Sequence, residues 1–187
     1  MIAGTVFLGL LAYGLSIFLN TAIAPQIGLS VKGIALGVVA TLPLAGFLWW
    51  FSATTNQVMQ EFRQSQIQFF AEIGFEFTPL RILIIALAAG ISEELLFRGV
   101  FQSWMSDFSP IILAVIIPNI IFGLLHMRTI LYALIAGLVG IYLGIVFVAT
   151  DNLLAPIVTH SLYDLVALIY TRQAIIEWRN EQKSAAS

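Results

Sequence analysis

Long apolar runs separated by short polar breaks set the pattern of this chain. Residues 2–20, 33–52, 80–102, 109–126, 129–149 and 152–171 are each close to continuously apolar. Each has the roughly 17–25 residues that a helix needs to cross the hydrocarbon core of a bilayer. The second run closes on Trp49-Trp50-Phe51, a cluster suited to the aromatic belt at a membrane interface. Residues 53–78 break the pattern with Asn56, Gln57, Gln60, Glu61, Arg63, Gln64, Gln66, Gln68, Glu72 and Glu76, while apolar residues recur at Val58, Phe62, Phe69 and Ile73. That periodicity predicts an amphipathic helix lying on the membrane surface. Asp107-Phe108-Ser109-Pro110 reads as a helix cap followed by proline in the first turn, and Asp151-Asn152 with Pro156 opens the last span in a similar way. The expected fold is all-α: a polytopic membrane helical bundle of about six transmembrane helices plus one amphipathic surface helix. It is expected to be a single membrane domain over residues 1–187. Two N-terminal spans (1–52), an amphipathic connector (53–79) and a four-helix core (80–171) are followed by a polar tail (172–187) expected to fray.

Composition agrees with lipid as the solvent. Of 187 residues, 60% are hydrophobic and 10% charged, and the mean hydropathy is +0.98. Soluble domains run nearer a quarter charged, and a chain this short could not hide so much apolar surface from water. The net charge of -2 gives no basic face for nucleic acid. With no cysteine there is no disulfide, thiolate metal site or cysteine nucleophile. Nothing basic precedes the first apolar run and Pro25 follows Ala22-Ile23-Ala24, so that run reads as a retained helix rather than a signal peptide. With six spans, Arg63, Arg81, Arg128, Arg172, Arg179 and Lys183 collect on the side of both termini, against Lys32 on the other. The positive-inside rule then places a multi-pass protein in the cell membrane with both termini cytoplasmic.

Ionisable groups inside a span are costly and face the bundle interior or a water-filled cavity. Here they gather on three spans: Glu93, Glu94 and Arg98; His126; and His160 with Asp164. Both histidines of the protein belong to this set, which suggests one polar site shared by three helices. Glu94 and Arg98 stand i,i+4 with the acid first, the favourable order for a pair along one helix face. Glu93 points about 100° away, which leaves it free to face a substrate as a general base. Phe122 and His126 are again i,i+4, with Asn119 on the same stripe, and His160 and Asp164 share a face. Gly137, Gly140 and Gly144 form a small-residue stripe that reads as helix packing rather than chemistry. Any one of these polar groups alone could be structural; three helices carrying them make a wholly structural role harder to sustain, since each unpaired group in lipid costs several kcal/mol.

Glu93-Glu94-Leu-Leu-Phe-Arg98, Phe122-Gly-Leu-Leu-His126 and His160-Ser-Leu-Tyr-Asp164 together resemble the EExxxR, FxxxH and HxxxN/D motifs of the CPBP family. These are the CAAX-processing and bacteriocin-processing intramembrane glutamic endopeptidases, also called Abi proteins. The resemblance covers residues 80–170. It implies that Glu93 with His126 activates a water against a peptide carbonyl, and that His160 and Asp164 stabilise the oxyanion. Glu94 and Arg98 fill the remaining motif positions, and with Phe122 and with Asn119 on the same stripe they are expected to support the site structurally.

Asp164 departs from the asparagine of the eukaryotic prenyl-protein peptidases. Asparagine donates a hydrogen bond to an oxyanion and ionised aspartate does not, so Asp164 is expected to hold His160 in its donating tautomer. Glu93, His126 and His160 could supply zinc ligands in principle, but no HExxH spacing is present and no metal or other cofactor is expected. At 1.5 Å per residue, Glu93 and His160 both come out about 17–18 Å from the cytoplasmic edge, while His126, beside Arg128, comes out shallow. The function expected is an intramembrane endopeptidase acting near the cytoplasmic face on a peptide or membrane-protein substrate within the lipid bilayer. A non-catalytic scaffold or bacteriocin-immunity protein of the same fold is the alternative. A transporter also needs buried Glu and His, but the paired broken-helix repeats of transporters are missing.

Overall fold

In the computed structural model, residues 2–73 and 76–185 are described. Met1, Gly74, Phe75 and the last two residues of the expected tail lie outside them. Among the described residues there is no strand, and the chain is a helical membrane bundle. The helices are α1 (Ile2–Phe18), α2 (Val31–Ala53), α3 (Gln57–Glu72), α4 (Pro79–Glu94), α5 (Ser103–Ser106), α6 (Ile111–Leu125), α7 (Ile130–Thr150) and α8 (Leu154–Ala185). A π-helical segment, Leu95–Gln102, joins α4 to α5 without a break. By length and composition α2, α7 and α8 are apolar enough to cross a membrane, and α1 and α6 hold shorter apolar stretches.

Local chemistry sets the helix starts. Ser30, Asn56, Thr78 and Thr129 each cap a helix by accepting a backbone N–H three residues on, satisfying donors that the first turn leaves unpaired. The start of α6 differs from the sequence expectation: Pro110 itself is the flanking residue and makes no side-chain cap. The hydroxyl of Ser109 donates back to Met105 O at 2.7 Å, so it caps the preceding turn instead. Asn152 ties the last turn to the α1–α2 link. Its Oδ1 accepts from Gly28 N and Leu154 N, and its Nδ2 donates to Gly28 O.

One expectation needs correction. The segment after Tyr170 does not fray: α8 runs on to Ala185. The physical reason is Ile175, buried in an apolar cluster with Phe77 and Ile82, against which Ile67 and Phe70 of α3 also pack. The amphipathic α3 has no buried residue and lies at the surface of the bundle. α3 packs on α8 and is pinned to the end of α2 by Arg63, whose Nη1 donates to Phe51 O and Ser52 O at 2.8 and 2.7 Å.

The helices that matter for the site converge on α8, which packs against α2, α4 and α7, while α6 packs on α7 and on the π segment. Gly90 on α4 allows a close approach to α8. A Cβ there would stand 2.8 Å from Ser161 N, on the turn of α8 that carries His160.

Candidate active site

The three motif-bearing segments meet at one end of α6. Glu93 and Glu94 are the last two residues of α4, immediately before the π segment. Such segments insert an extra residue per turn and recur at functional sites. α6 has 15 residues and so spans about 22 Å, short of a hydrocarbon core of about 30 Å. Its C-terminal end can therefore stop inside the bundle. That resolves the shallow depth expected for His126, which sits at this end with φ −92° and ψ 6° and comes within 3.8 Å of Glu93.

Two layers result. The inner one is sealed: Glu94, Arg98 and Asn119 are 0% exposed. Arg98 Nη1 donates to Glu94 Oε1 at 2.7 Å, and Arg98 Nη2 donates to Asn119 Oδ1 at 2.7 Å and to Gly140 O. Asn119 Nδ2 donates to Val115 O at 2.7 Å, which holds the amide in place. The guanidinium also lies 5.4 Å from the centre of the Phe122 ring, within cation–π range.

The outer layer opens on a cleft. The side chains of Glu93, Asp164 and His126 are 14%, 27% and 31% exposed. His126 Nδ1 lies 2.8 Å from Phe122 O; a carbonyl only accepts, so Nδ1 carries the proton and Nε2 of the neutral ring is bare. His160 Nδ1 lies 2.7 Å from Glu94 Oε1, which turns its Nε2 outward as well. Both Nε2 atoms face the same oxygen, Glu93 Oε2, at 3.8 Å for His126 and 3.9 Å for His160. Asp164 Oδ2 lies 3.6 Å from His160 Nε2. Phe122 stacks on His126 with ring centres 4.3 Å apart and meets Phe97 edge-on, fixing the imidazole plane.

The expected role of Asp164 changes accordingly. Glu94, rather than Asp164, occupies Nδ1 of His160 and orients the ring, and Asp164 stands on the Nε2 side that faces the cleft. The glycine stripe changes too. Gly140 supplies a carbonyl to Arg98 and Gly144 supplies one to Gln102 Nε2 at 3.1 Å, so the stripe admits polar side chains as well as a helix. Sequence spacing alone gave no sign of Gln102, nor of Tyr132 and Tyr163, which line the cleft with the four outer groups. Among the described residues, no group of three or more His, Cys, Asp or Glu is arranged to hold a metal ion.

Residues 75–166 match the model of the family described as type II CAAX prenyl endopeptidase, Rce1-like. The match supports the CPBP/CAAX protease family for this chain. The CPBP resemblance carried by the three motifs therefore holds, and the protein is in general terms a CAAX-type protease of the membrane. The segment matched to the Rce1-like family contains Glu93, Glu94, Arg98, Asn119, Phe122, His126, His160 and Asp164, and leaves α1, α2 and α3 outside. No curated protein and no solved structure matches the chain.

One stability prediction follows from the stripe. A Cβ on Gly140 would stand 2.5 Å from Asn119 Oδ1 and 3.2 Å from Phe122 Cδ1. Gly140→Ala is therefore expected to cost about 1–3 kcal/mol, as overpacking of a full interior does. Unfolding of the purified variant in detergent measures this, and an unchanged midpoint would show that Asn119 yields without strain.

Proposed function

We propose that the protein hydrolyses a peptide bond with a water held between Glu93 and His126, at a site that opens toward the cytoplasmic face of the membrane. The observation that carries the reading is the convergence of both Nε2 atoms on Glu93 Oε2, each imidazole fixed from its Nδ1 side. At 3.8 Å, Glu93 and His126 are too far apart for a direct hydrogen bond. A water oxygen bonded to both fits that span.

The chemistry then runs as general base catalysis. Glu93 takes a proton from the water as its oxygen attacks the carbonyl carbon, while His126 Nε2 accepts the second water hydrogen bond and aims the attack. The negative charge that develops on the carbonyl oxygen needs a fixed donor. His160 Nε2 supplies it when the ring carries a proton on both nitrogens, Glu94 facing one and Asp164 the other. Glu93 returns its proton to the leaving nitrogen, and the carbon–nitrogen bond breaks. Arg98 balances Glu94 and touches no reacting atom.

Basic groups support the orientation. Arg128 Nη1 donates to Ser65 O and Arg179 Nη2 to Ala71 O, both on α3. With Arg63 and Arg81 they make the α3 end of the bundle the basic one, which the positive-inside rule assigns to the cytoplasm together with both termini of a multi-pass chain.

The test is cleavage of a model peptide by the purified protein in proteoliposomes, wild type against Glu93→Gln. A second variant probes the oxyanion side. Asp164→Asn removes a charge 3.6 Å from His160 Nε2 but keeps the shape, so it is expected to retain cleavage with an altered pH–rate profile. Complete loss at every pH would instead make the carboxylate itself indispensable.

A further inference from the structure

The outer layer of the cleft is rich in groups that accept hydrogen bonds. Glu93 and Asp164 are carboxylates, and the neutral ring of His126 presents a bare Nε2. The carbonyl oxygen of a peptide under attack needs fixed donors instead. Of the four outer groups, His160 Nε2 is the one that can supply a donor there, and an ionised Asp164 adds none.

Three tyrosines line the same cleft, Tyr132 on α7 and Tyr163 and Tyr170 on α8. Their surroundings separate them. Both Asp164 and Glu93 act electrostatically on Tyr132. Tyr163 is reached by Asp164 and by Tyr132, and Tyr170 by Arg63 and Glu177. Tyr132 is thus the tyrosine within range of both carboxylates.

Local structure aims this side chain. Thr129 caps α7, and its Oγ1 accepts from Tyr132 N at 3.1 Å. Tyr132 therefore sits in the first turn of α7, just past the end of α6 that carries His126. Its ring is wedged between Phe62 of α3 and His126, with ring centres 6.3 and 6.4 Å away, distances at which aromatic neighbours favour a defined orientation. The hydroxyl makes no hydrogen bond to another described residue. A neutral O–H held this way in a largely apolar cleft is worth most where charge develops.

Resting on the peptidase reading above, we propose that the Tyr132 hydroxyl donates a hydrogen bond to the carbonyl oxygen of the scissile bond, as a second oxyanion donor beside His160 that makes up for the one Asp164 cannot give. His160 approaches from α8 and Tyr132 from α7. The phenol keeps its proton throughout. Its hydrogen bond shortens as negative charge grows on that oxygen, and relaxes when the carbonyl re-forms and the amine leaves with the proton held by Glu93.

The experiment uses the full chain in proteoliposomes, with a cleavable peptide and a difluoroketone analogue of it whose hydrate imitates the tetrahedral adduct. Tyr132→Phe is expected to lower kcat by about 10²- to 10³-fold, the usual worth of one oxyanion donor, with KM little changed. It should weaken binding of the analogue by about tenfold, the worth of one hydrogen bond, and leave binding of the parent peptide unaltered. Phenylalanine keeps the ring between Phe62 and His126, and an unchanged unfolding midpoint verifies that the fold survives. Tyr163→Phe is expected to lose less. In Tyr132→Phe/Asp164→Asn the new amide can donate where the carboxylate could not, so part of the lost kcat returns. A wild-type kcat in Tyr132→Phe overturns the proposal, as does a loss confined to KM or one matched by Tyr163→Phe. Analogue binding that Tyr132→Phe leaves unchanged overturns it too, whether or not cleavage is seen. If wild type cleaves no peptide yet binds the analogue through Tyr132, the peptidase reading falls and the donor assignment stands.

Discussion

Glu93→Gln is expected to abolish peptide cleavage, lowering kcat by about 10²- to 10⁴-fold, the usual worth of a positioned general base. The substitution keeps the shape of the side chain and removes only its ability to take a proton. Glu93 is partly open to the cleft, and the imidazoles nearest to it stand at 3.8 and 3.9 Å, beyond hydrogen-bond reach. Little of the fold therefore depends on its charge. Membrane insertion and unfolding midpoint should match wild type, and the loss should appear in kcat rather than in substrate affinity. Retention of full cleavage would remove Glu93 from the chemistry. Loss of any biological effect of the protein only in Glu94 variants, with Glu93→Gln silent, would favour the non-catalytic scaffold.

The second large effect is on stability. Arg98→Met is expected to destabilise the protein by about 3–5 kcal/mol, the cost of leaving one partner of a buried ion pair behind. Glu94 Oε1 is shared between Arg98 Nη1 and His160 Nδ1, both at 2.7 Å. Without the guanidinium, a fully enclosed carboxylate has only an imidazole beside it, and Asn119 Oδ1 and the Gly140 carbonyl lose their donor. Against total stabilities of about 5–15 kcal/mol, this is a large fraction. The double variant Glu94→Gln/Arg98→Met carries no orphaned charge and should recover part of the loss, because the two residues act as one unit. Denaturant unfolding in detergent distinguishes the cases. A single variant within about 1 kcal/mol of wild type would mean that water reaches Glu94 readily, since hydration is what replaces a lost partner.

Comparing particular elements shows why some of this was legible before the structure and some was not. The apolar runs marked α1, α2, α4, α6, α7 and the first part of α8, because the bilayer thickness turns hydrophobic length into a ruler. Arg98 and Glu94 were recognisable as neighbours because both lie on one helical run, four residues apart. The other partners of Arg98 are 21 and 42 residues away, and no periodicity carries that information. Gly140 looked like a packing residue because a carbonyl that receives a guanidinium has no side-chain signature. The tail after Tyr170 looked unstructured on its polar composition, yet two buried positions, Ala174 and Ile175, suffice to keep α8 helical against its neighbours.

The sequence by itself determined that the chain lies in lipid, where its helices run, that residues 80–170 carry three CPBP-like motifs, and which ionisable groups could not be left among acyl chains. Those properties are local or additive along the chain, and an α-helix has one geometry. Tertiary packing decided the rest: that a short α6 ends beside Glu93, that Glu94 rather than Asp164 holds the back of His160, and that α3 closes one wall of the cleft with Arg63. Each of these depends on how close and at what depth two helices meet. That is set by glycines such as Gly90 and Gly140, which open space for a neighbour chosen only when the bundle is assembled.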